Sequence, residues 1–380
     1  MSTRRKFLLV LGGSAVILAA GAAGFALTRT PHAALKPWRD AGAGDTPVVR
    51  ALSYAILAPS PHNLQPWAVE LVGAEEAVLH CRLDRRLPAA DPFDRQTVIG
   101  LGCFLETLRI AAREAGYRAE ITPFPEGAGT PRLDERPVAH IRLVAEAGEP
   151  DPLFAAILER RTNRGPFDTA RPVPAAMLDE FARLSPAGAA VLTTGDAATV
   201  ATLRDVTWRA FETEMLTPAP LAESNAAMRF GKAEIEAEPD GLAMSGAMLE
   251  ALSLAGILSP QAMSDTGSFA FRSGLDMWKK ALSTSMAFLW ITTPVNDRAT
   301  QIVTGAVYMR AHLAATLAGL AFHPVSQALE EYPEMAGPYR EVHDLLGPPG
   351  HTVQMLVRLG YAPAVPPSPR WPLAERITAA

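Results

Sequence analysis

The sequence predicts an α+β protein of two related halves, each a largely antiparallel sheet packed on long helices. Three observations carry this. Short alternating runs that read as strands are interleaved with long Ala-rich helical stretches. One of those helices occurs twice: residues 100–117 (GLGCFLETLRIAAREAGY) and 303–320 (VTGAVYMRAHLAATLAGL) align at a constant offset of 203. They share Gly102/Gly305, Ala111/Ala314, Ala112/Ala315, Ala115/Ala318 and Gly116/Gly319. The third is a break in the pattern near Gly148–Asp151, which separates a first half at 35–148 from a second at 151–375.

In the first half an amphipathic stretch, Val48 to Leu57, leads through LAPSPHNLQPWAVEL (57–71) into an alternating run. Val78–Leu83 and Val138–Val144 read as further strands. In the second half Ala175 to Leu184 leads through LSPAGAAVL (184–192) in the same manner, and His351–Leu359 is a strand. Both copies of the repeated helix carry small residues at helical spacing, which permits close approach, and both end at a glycine suited to a C-cap. Any two Ala-rich helices would share some of these matches. The helix-to-strand echo is the second, weaker support for duplication. From Phe211 to Leu289 the character changes, with Met215, Met228, Met244, Met248, Met263, Met277 and Met286 spread among Gly and Ser. This insertion of about 211–289 is too long for a simple connection. It reads either as a lid or arm over a site, or as an added core helix pair with Met as adaptable filling.

Composition narrows the function classes. A chain of 380 residues, 48% hydrophobic and 20% charged, buries a substantial core. The net charge is −5, and nearer −9 once residues 1–30 are set aside, so no nucleic-acid partner is expected. The eight histidines fall at no metal-ligand spacing, and no metal is expected. Cys81 and Cys103 are either one bridge or two core thiols.

The amino terminus reads as an address. Arg4, Arg5 and Lys6 precede an uncharged run from Phe7 to Leu27, and the adjacent arginines resemble a twin-arginine export signal. The expectation is export through the twin-arginine translocase, to the periplasm or to a membrane anchor facing it. Cleavage, with Ala20-Gly21-Ala22 as one candidate site, and retention as an anchor both remain open.

Three segments carry polar chemistry. Ala58-Pro59-Ser60-Pro61-His62-Asn63-Leu64-Gln65-Pro66-Trp67 reads as a rigid extended loop presenting Ser60, Asn63 and Gln65 to a heterocycle edge or polyol. His62 has no carboxylate partner nearby in sequence, so no nucleophile–base pair is expected. Arg160, Arg161, Thr162 and Arg164 form a concentrated phosphate fork, unless the run is simply a solvated face. Pro367-Ser368-Pro369-Arg370-Trp371-Pro372-Leu373 is a stiff tail presenting one guanidinium.

Together these segments resemble the nitroreductase family of flavoproteins, and more closely its Acg-like branch, with "RRTNRxPF", "AFHPVSQ" and "GYAPxxPPSPRRPL" matched at Arg160–Phe167, Ala321–Gln327 and Gly360–Leu373. The resemblance covers roughly residues 35–375. It implies a nitroreductase-like fold and FMN as cofactor. Arg160, Arg161, Thr162, Arg164 and Arg370 would then hold the phosphate, and Ser60, Asn63 and Gln65 the ribityl chain and ring. Pro324, Val325, Ser326 and Gln327 would lie near the isoalloxazine. Trp371 departs from the pattern, standing where the branch has an arginine. The arginine motif occurs only in the second half and the intact loop only in the first, so the resemblance implies one composite site per chain, in a monomer that is an internal pseudo-dimer. The function it implies is an FMN-dependent oxidoreductase with a small-molecule electron donor and acceptor, both unidentified. The alternative is a protein that sequesters FMN beneath the 211–289 arm with little turnover.

Overall fold

The computed structural model of the chain describes residues 28–378. Arg4, Arg5 and the run Phe7 to Leu27 therefore lie outside the described residues. Among those described, no helix is long and apolar enough to cross a membrane.

The first half opens on helix α1 (Pro47–Ala55), capped by the Thr46 hydroxyl, which accepts from the Val49 amide, with proline in the first turn. Strands β1 (Trp67–Leu71) and β2 (Glu76–Cys81) form a hairpin. Helix α2 (Arg95–Glu114) follows, then β3 (Tyr117–Pro123) and β4 (Ala139–Ala145). These four strands run in the order β1-β2-β4-β3, all antiparallel. The second half repeats that plan with α3 (Ala175–Ala182) and β5 (Ala190–Thr194). An insertion then carries α4 (Ala197–Leu216), α5 (Pro218–Ala226), β6 (Met228–Phe230), β7 (Leu242–Met244), α6 (Ala247–Leu254) and α7 (Phe269–Ser283). The plan resumes with β8 (Ala287–Thr293), α8 (Arg298–Leu317), β9 (Ala321–Pro324), α9 (Ala336–Leu346) and β10 (Thr352–Gly360). Its sheet order, β5-β8-β10-β9, is that of the first half. The insertion sits where the first half has only the tight β1–β2 turn. The expected strands stand within two residues of their observed bounds.

The repeated helices pack against each other. A Cβ on Gly102 would press into the Ile302 carbonyl and come within 3.0 Å of Gly305 Cα; one on Gly305 would press into the Ile99 carbonyl and come within 2.7 Å of Gly102 Cα. Ile99 and Ile302 are themselves separated by the same 203 residues. The contact is thus reciprocal, and glycine is required because backbone meets backbone. A second reciprocity lies at the helix starts. Arg95 donates to the Gln354 carbonyl (2.9 Å) and the Leu329 carbonyl and pairs with Glu331. Arg298 donates to the Pro131 carbonyl at 2.9 Å. Each arginine secures the loop that follows the other half's third strand. Both helices end on the expected left-handed glycines, Gly116 (φ 80°) and Gly319 (φ 68°).

One boundary moves. The tail after β10 leaves the second half and crosses the first, where β11 (Ile377–Thr378) pairs parallel with β1. Cys81 and Cys103 are free and buried, with burial pushing the Cys81 thiol up to about 12.

Candidate functional site

A cavity of about 360 Å³, within the usual range of small-molecule pockets, opens between the central helices, the 59–62 segment and the insertion. Four segments converge on it: the first-half loop with Ser60 and His62, the arginine motif with Thr162 and Arg164, the strand end Pro324 with Ser326 and Gln327, and the arm. The arm contributes Phe211, Met215, Met228, Met244, Met277 and Trp278 as an apolar wall. Phe211 and Trp278 also stack at 4.6 Å and pack on a second apolar core with α4. These residues thus both line the cavity and pack as a helix pair.

The loop is not extended. Pro61–Asn63 forms a 3₁₀ turn, and His62, Asn63 and Gln65 have φ of 46°, 57° and 53°. Proline fixes only its own φ, and the residues between prolines here turn left-handed. What holds them is local bonding. The Ser60 carbonyl accepts from the Asn63 amide at 2.9 Å, and the Ser60 hydroxyl accepts from the Gln65 amide at 3.0 Å. That leaves the Ser60 hydroxyl proton available to a ligand.

Asn63 and Gln65 brace the fold rather than line the cavity. The Asn63 amide donates to the Pro369 carbonyl (3.1 Å) and the Gly241 carbonyl (3.3 Å), while its oxygen accepts from Arg370. Gln65 donates to the Pro239 carbonyl (2.9 Å) and accepts from the Trp371 amide (3.0 Å). Loop, arm and tail are pinned at one point. Asn63→Ala would strand buried donors and acceptors in a left-handed backbone, for an expected loss of about 2–4 kcal/mol in urea-unfolding stability. A loss under about 0.5 kcal/mol would show that the pin carries no weight.

The arginine motif divides. Its backbone is clamped to β9 by the Asn163 amide on the Phe322 carbonyl (3.1 Å), and to α8 by a 3.0 Å bond between His312 and the Arg161 carbonyl. Arg164 is exposed to the cavity while enclosed by the fold, and makes no hydrogen bond or ion pair within the described residues. Burial lowers its pKa. Arg160 and Arg370 are buried behind the wall and both donate to the Leu57 carbonyl, at 3.1 Å each. Arg161 lies 4.7 Å over Trp38, and Arg370 5.5 Å. Among the described residues none of these four arginines has a carboxylate within 4 Å, and Arg160 Nη1 and Arg370 Nε are buried without partners. Val325 is buried beside the cavity, its amide donating to the Leu356 carbonyl at 2.8 Å.

Other cavity groups were not singled out by sequence. His62, passed over for want of a carboxylate, has Glu214 of α4 at 4.0 Å. Burial and then Arg164 push its pKa down to about 4. His323 accepts at Nδ1 from Arg358 Nε at 2.8 Å, which leaves the ring proton on Nε2; burial holds it well below the usual range. Burial raises Glu214 to about 7 and raises Tyr308 and Glu330 as well. Among the described residues the cavity therefore has one cationic group, Arg164, among neutral imidazoles, with acids at another part of its wall. Such a place suits a molecule with an anionic end and a flat apolar body.

No protein-family model matches the chain. It is 38% identical over 125 residues to an uncharacterized protein of Mycobacterium tuberculosis, a match covering 31% of this chain and 35%, about a third, of that relative's length. It is 29% identical over 334 residues, 86% of this chain and 93% of the relative, to the "Putative NAD(P)H nitroreductase acg" of the same organism. Among solved structures, the FMN-dependent nitroreductase NfnB of Mycobacterium smegmatis in complex with NADPH aligns over 58% of this chain and 94% of its own, at 20% identity and a TM-score of 0.36.

Proposed function

We infer that this chain is an FMN-dependent oxidoreductase of the nitroreductase family, holding one flavin in the cavity between its two halves. The observation that carries the reading is Arg164, a guanidinium in the cavity with no hydrogen bond or ion pair among the described residues, on a motif shared with that family. The residues fit the group. Arg164, Thr162 and the free Ser60 proton would receive the phosphate and adjoining polyol. Arg160, Arg161 and Arg370 add uncompensated positive charge behind the wall, and the unpartnered Arg160 Nη1 and Arg370 Nε are left for an anion. Pro324, Ser326 and Gln327, with Val325 beneath, would border the ring. Asn63 and Gln65 act by holding loop and tail in place.

Bound there, the flavin would supply two-electron transfer between a hydride donor and an acceptor stacked on its ring. The chain's own part is to anchor the anion, exclude water with the Met and Trp wall, and keep His62 and His323 neutral beside the ring. The repeated sheet order and the reciprocal helix contact support an internal pseudo-dimer that works as a monomer. Residues 1–30 support export by the twin-arginine translocase, a route for folded cargo carrying its cofactor. An exported protein would draw on a donor other than cytoplasmic NAD(P)H. The arm's share of the cavity wall favours a second reading, flavin sequestration. Anaerobic titration of the flavin-loaded protein with NADPH separates the two. Bleaching of the visible bands is expected of the reductase. A spectrum moved only by dithionite would support sequestration, and a chain that retains no flavin would defeat both.

A further inference from the structure

The acids of the cavity wall have no part in holding an anion, yet they are placed against the same space. Glu214 projects from α4 and is 2% exposed. Its Oε1 accepts from the Ser224 hydroxyl of α5 at 3.0 Å, and its Oε2 is buried without any partner. When this carboxyl is protonated, the oxygen that accepts no bond is the one that carries the proton, so the donor atom is then Oε2. The groups facing it are His62 of the 61–63 turn, Ser224 and Glu223 of α5, the Gln327 amide, which like Ser224 favours the ionised form, and Glu330 and Tyr332 beyond β9. Among the described residues no lysine or arginine lies within 4 Å to hold it ionised. His62, pressed by Arg164, stays neutral. Among the described residues the fold pairs this acid with neutral groups and gives it no cation. Its burial against a cavity calls for a partner supplied by a ligand.

We propose that Glu214 is the proton donor to the electron acceptor, and that the acceptors are molecules reduced at oxygen, such as quinones, which take one proton as they take a hydride. This rests on the flavin reading above. A bound flavin would supply the acceptor with a hydride, two electrons and one proton; the acceptor's oxygen would take the second proton as the Glu214 O–H bond breaks. The carboxylate left behind is reprotonated from solvent. Burial sets Glu214 near 7, where an acid both holds its proton and releases it readily.

Two measurements on the full chain test this, with Glu214→Gln as the variant because glutamine keeps the acceptor for Ser224. The first needs no flavin. A carboxyl raised in the folded state stabilises it below the unfolded pKa, and that advantage is lost as pH rises to the folded one. The melting temperature of the wild type should therefore fall relative to the variant between about pH 4.5 and 7, the gap staying constant above. No such gap overturns the proposal, since the group is then ionised at neutral pH. The second follows reoxidation of dithionite-reduced, flavin-loaded protein by a water-soluble benzoquinone. The wild-type rate should fall about tenfold per pH unit above 7, and the variant should be roughly 100-fold slower at pH 6 with no pH dependence. Equal rates and profiles in both proteins would overturn the donor role while leaving the flavin reading intact. A chain that binds no flavin would overturn both.

Discussion

Arg164→Ala is expected to yield a folded protein that no longer retains flavin, with the dissociation constant for FMN raised about 30- to 1,000-fold. The magnitude follows from truncating one partner of a buried, charge-assisted contact, about 2–4 kcal/mol. The sign on stability should be opposite. In the unliganded fold this guanidinium has no partner, and burial disfavours its charge. Removing it relieves that cost, so the flavin-free variant should melt no lower than the wild type by calorimetry. Arg164→Lys should not restore affinity, because a point charge on a flexible stem cannot reproduce the planar fork. Unchanged affinity in Arg164→Ala would move the phosphate to the Arg160, Arg161 and Arg370 group.

Gly305→Ala should be strongly destabilising for a single added methyl. The new Cβ meets the Ile99 carbonyl and Gly102 Cα, backbone atoms that no rotamer change can move. Relief requires the two central helices to separate, at a cost of about 3 kcal/mol or more. Gly102→Ala should behave alike, since the contact is reciprocal. Gly116→Ala, with nothing within 4 Å, carries only the left-handed backbone penalty of about 1 kcal/mol. Because Ile99, Gly100, Cys103 and Tyr308 ride on these helices and line the cavity, the first two variants should also bind flavin more weakly. Equal urea midpoints for all three would deny the crossing its importance.

These two positions also show what could be read beforehand. Gly102 and Gly305 were visible because close helix approach leaves a small residue at a fixed offset. The same offset carries Asp94-Arg95 and Thr97 onto Asp297-Arg298 and Thr300, an echo that extends the repeat. Ser60, Thr162, Arg164, Pro324, Ser326 and Gln327 were recognisable as motif residues, and they do meet around one cavity. Asn63, Gln65 and Arg370 were recognisable as polar but not as braces, because their partners are chiefly main-chain carbonyls, which residue identity does not reveal. The pairing of His62 with Glu214 lay beyond pattern reading, since the two are distant in sequence and meet only when the arm folds back. The turn at 61–65 was misjudged for a local reason: three prolines constrain themselves, while a hydroxyl and an amide decide the shape between them.

The crossing of the tail has a consequence for how the molecule comes into being. Asn63 bonds to a carbonyl 306 residues away, and β1 takes its outer neighbour from the far end of the described chain. Contacts of such sequence separation form late and slowly, since the entropy of closing the loop comes before any reward. During synthesis the first half would wait with β1 unpaired on one side until the tail arrives, and the 58–67 loop would stay unpinned for as long. The cavity thus depends on residues made 306 positions apart along the chain. Cofactor loading would have to follow synthesis of the tail, and retained flavin would report that tail and loop had met.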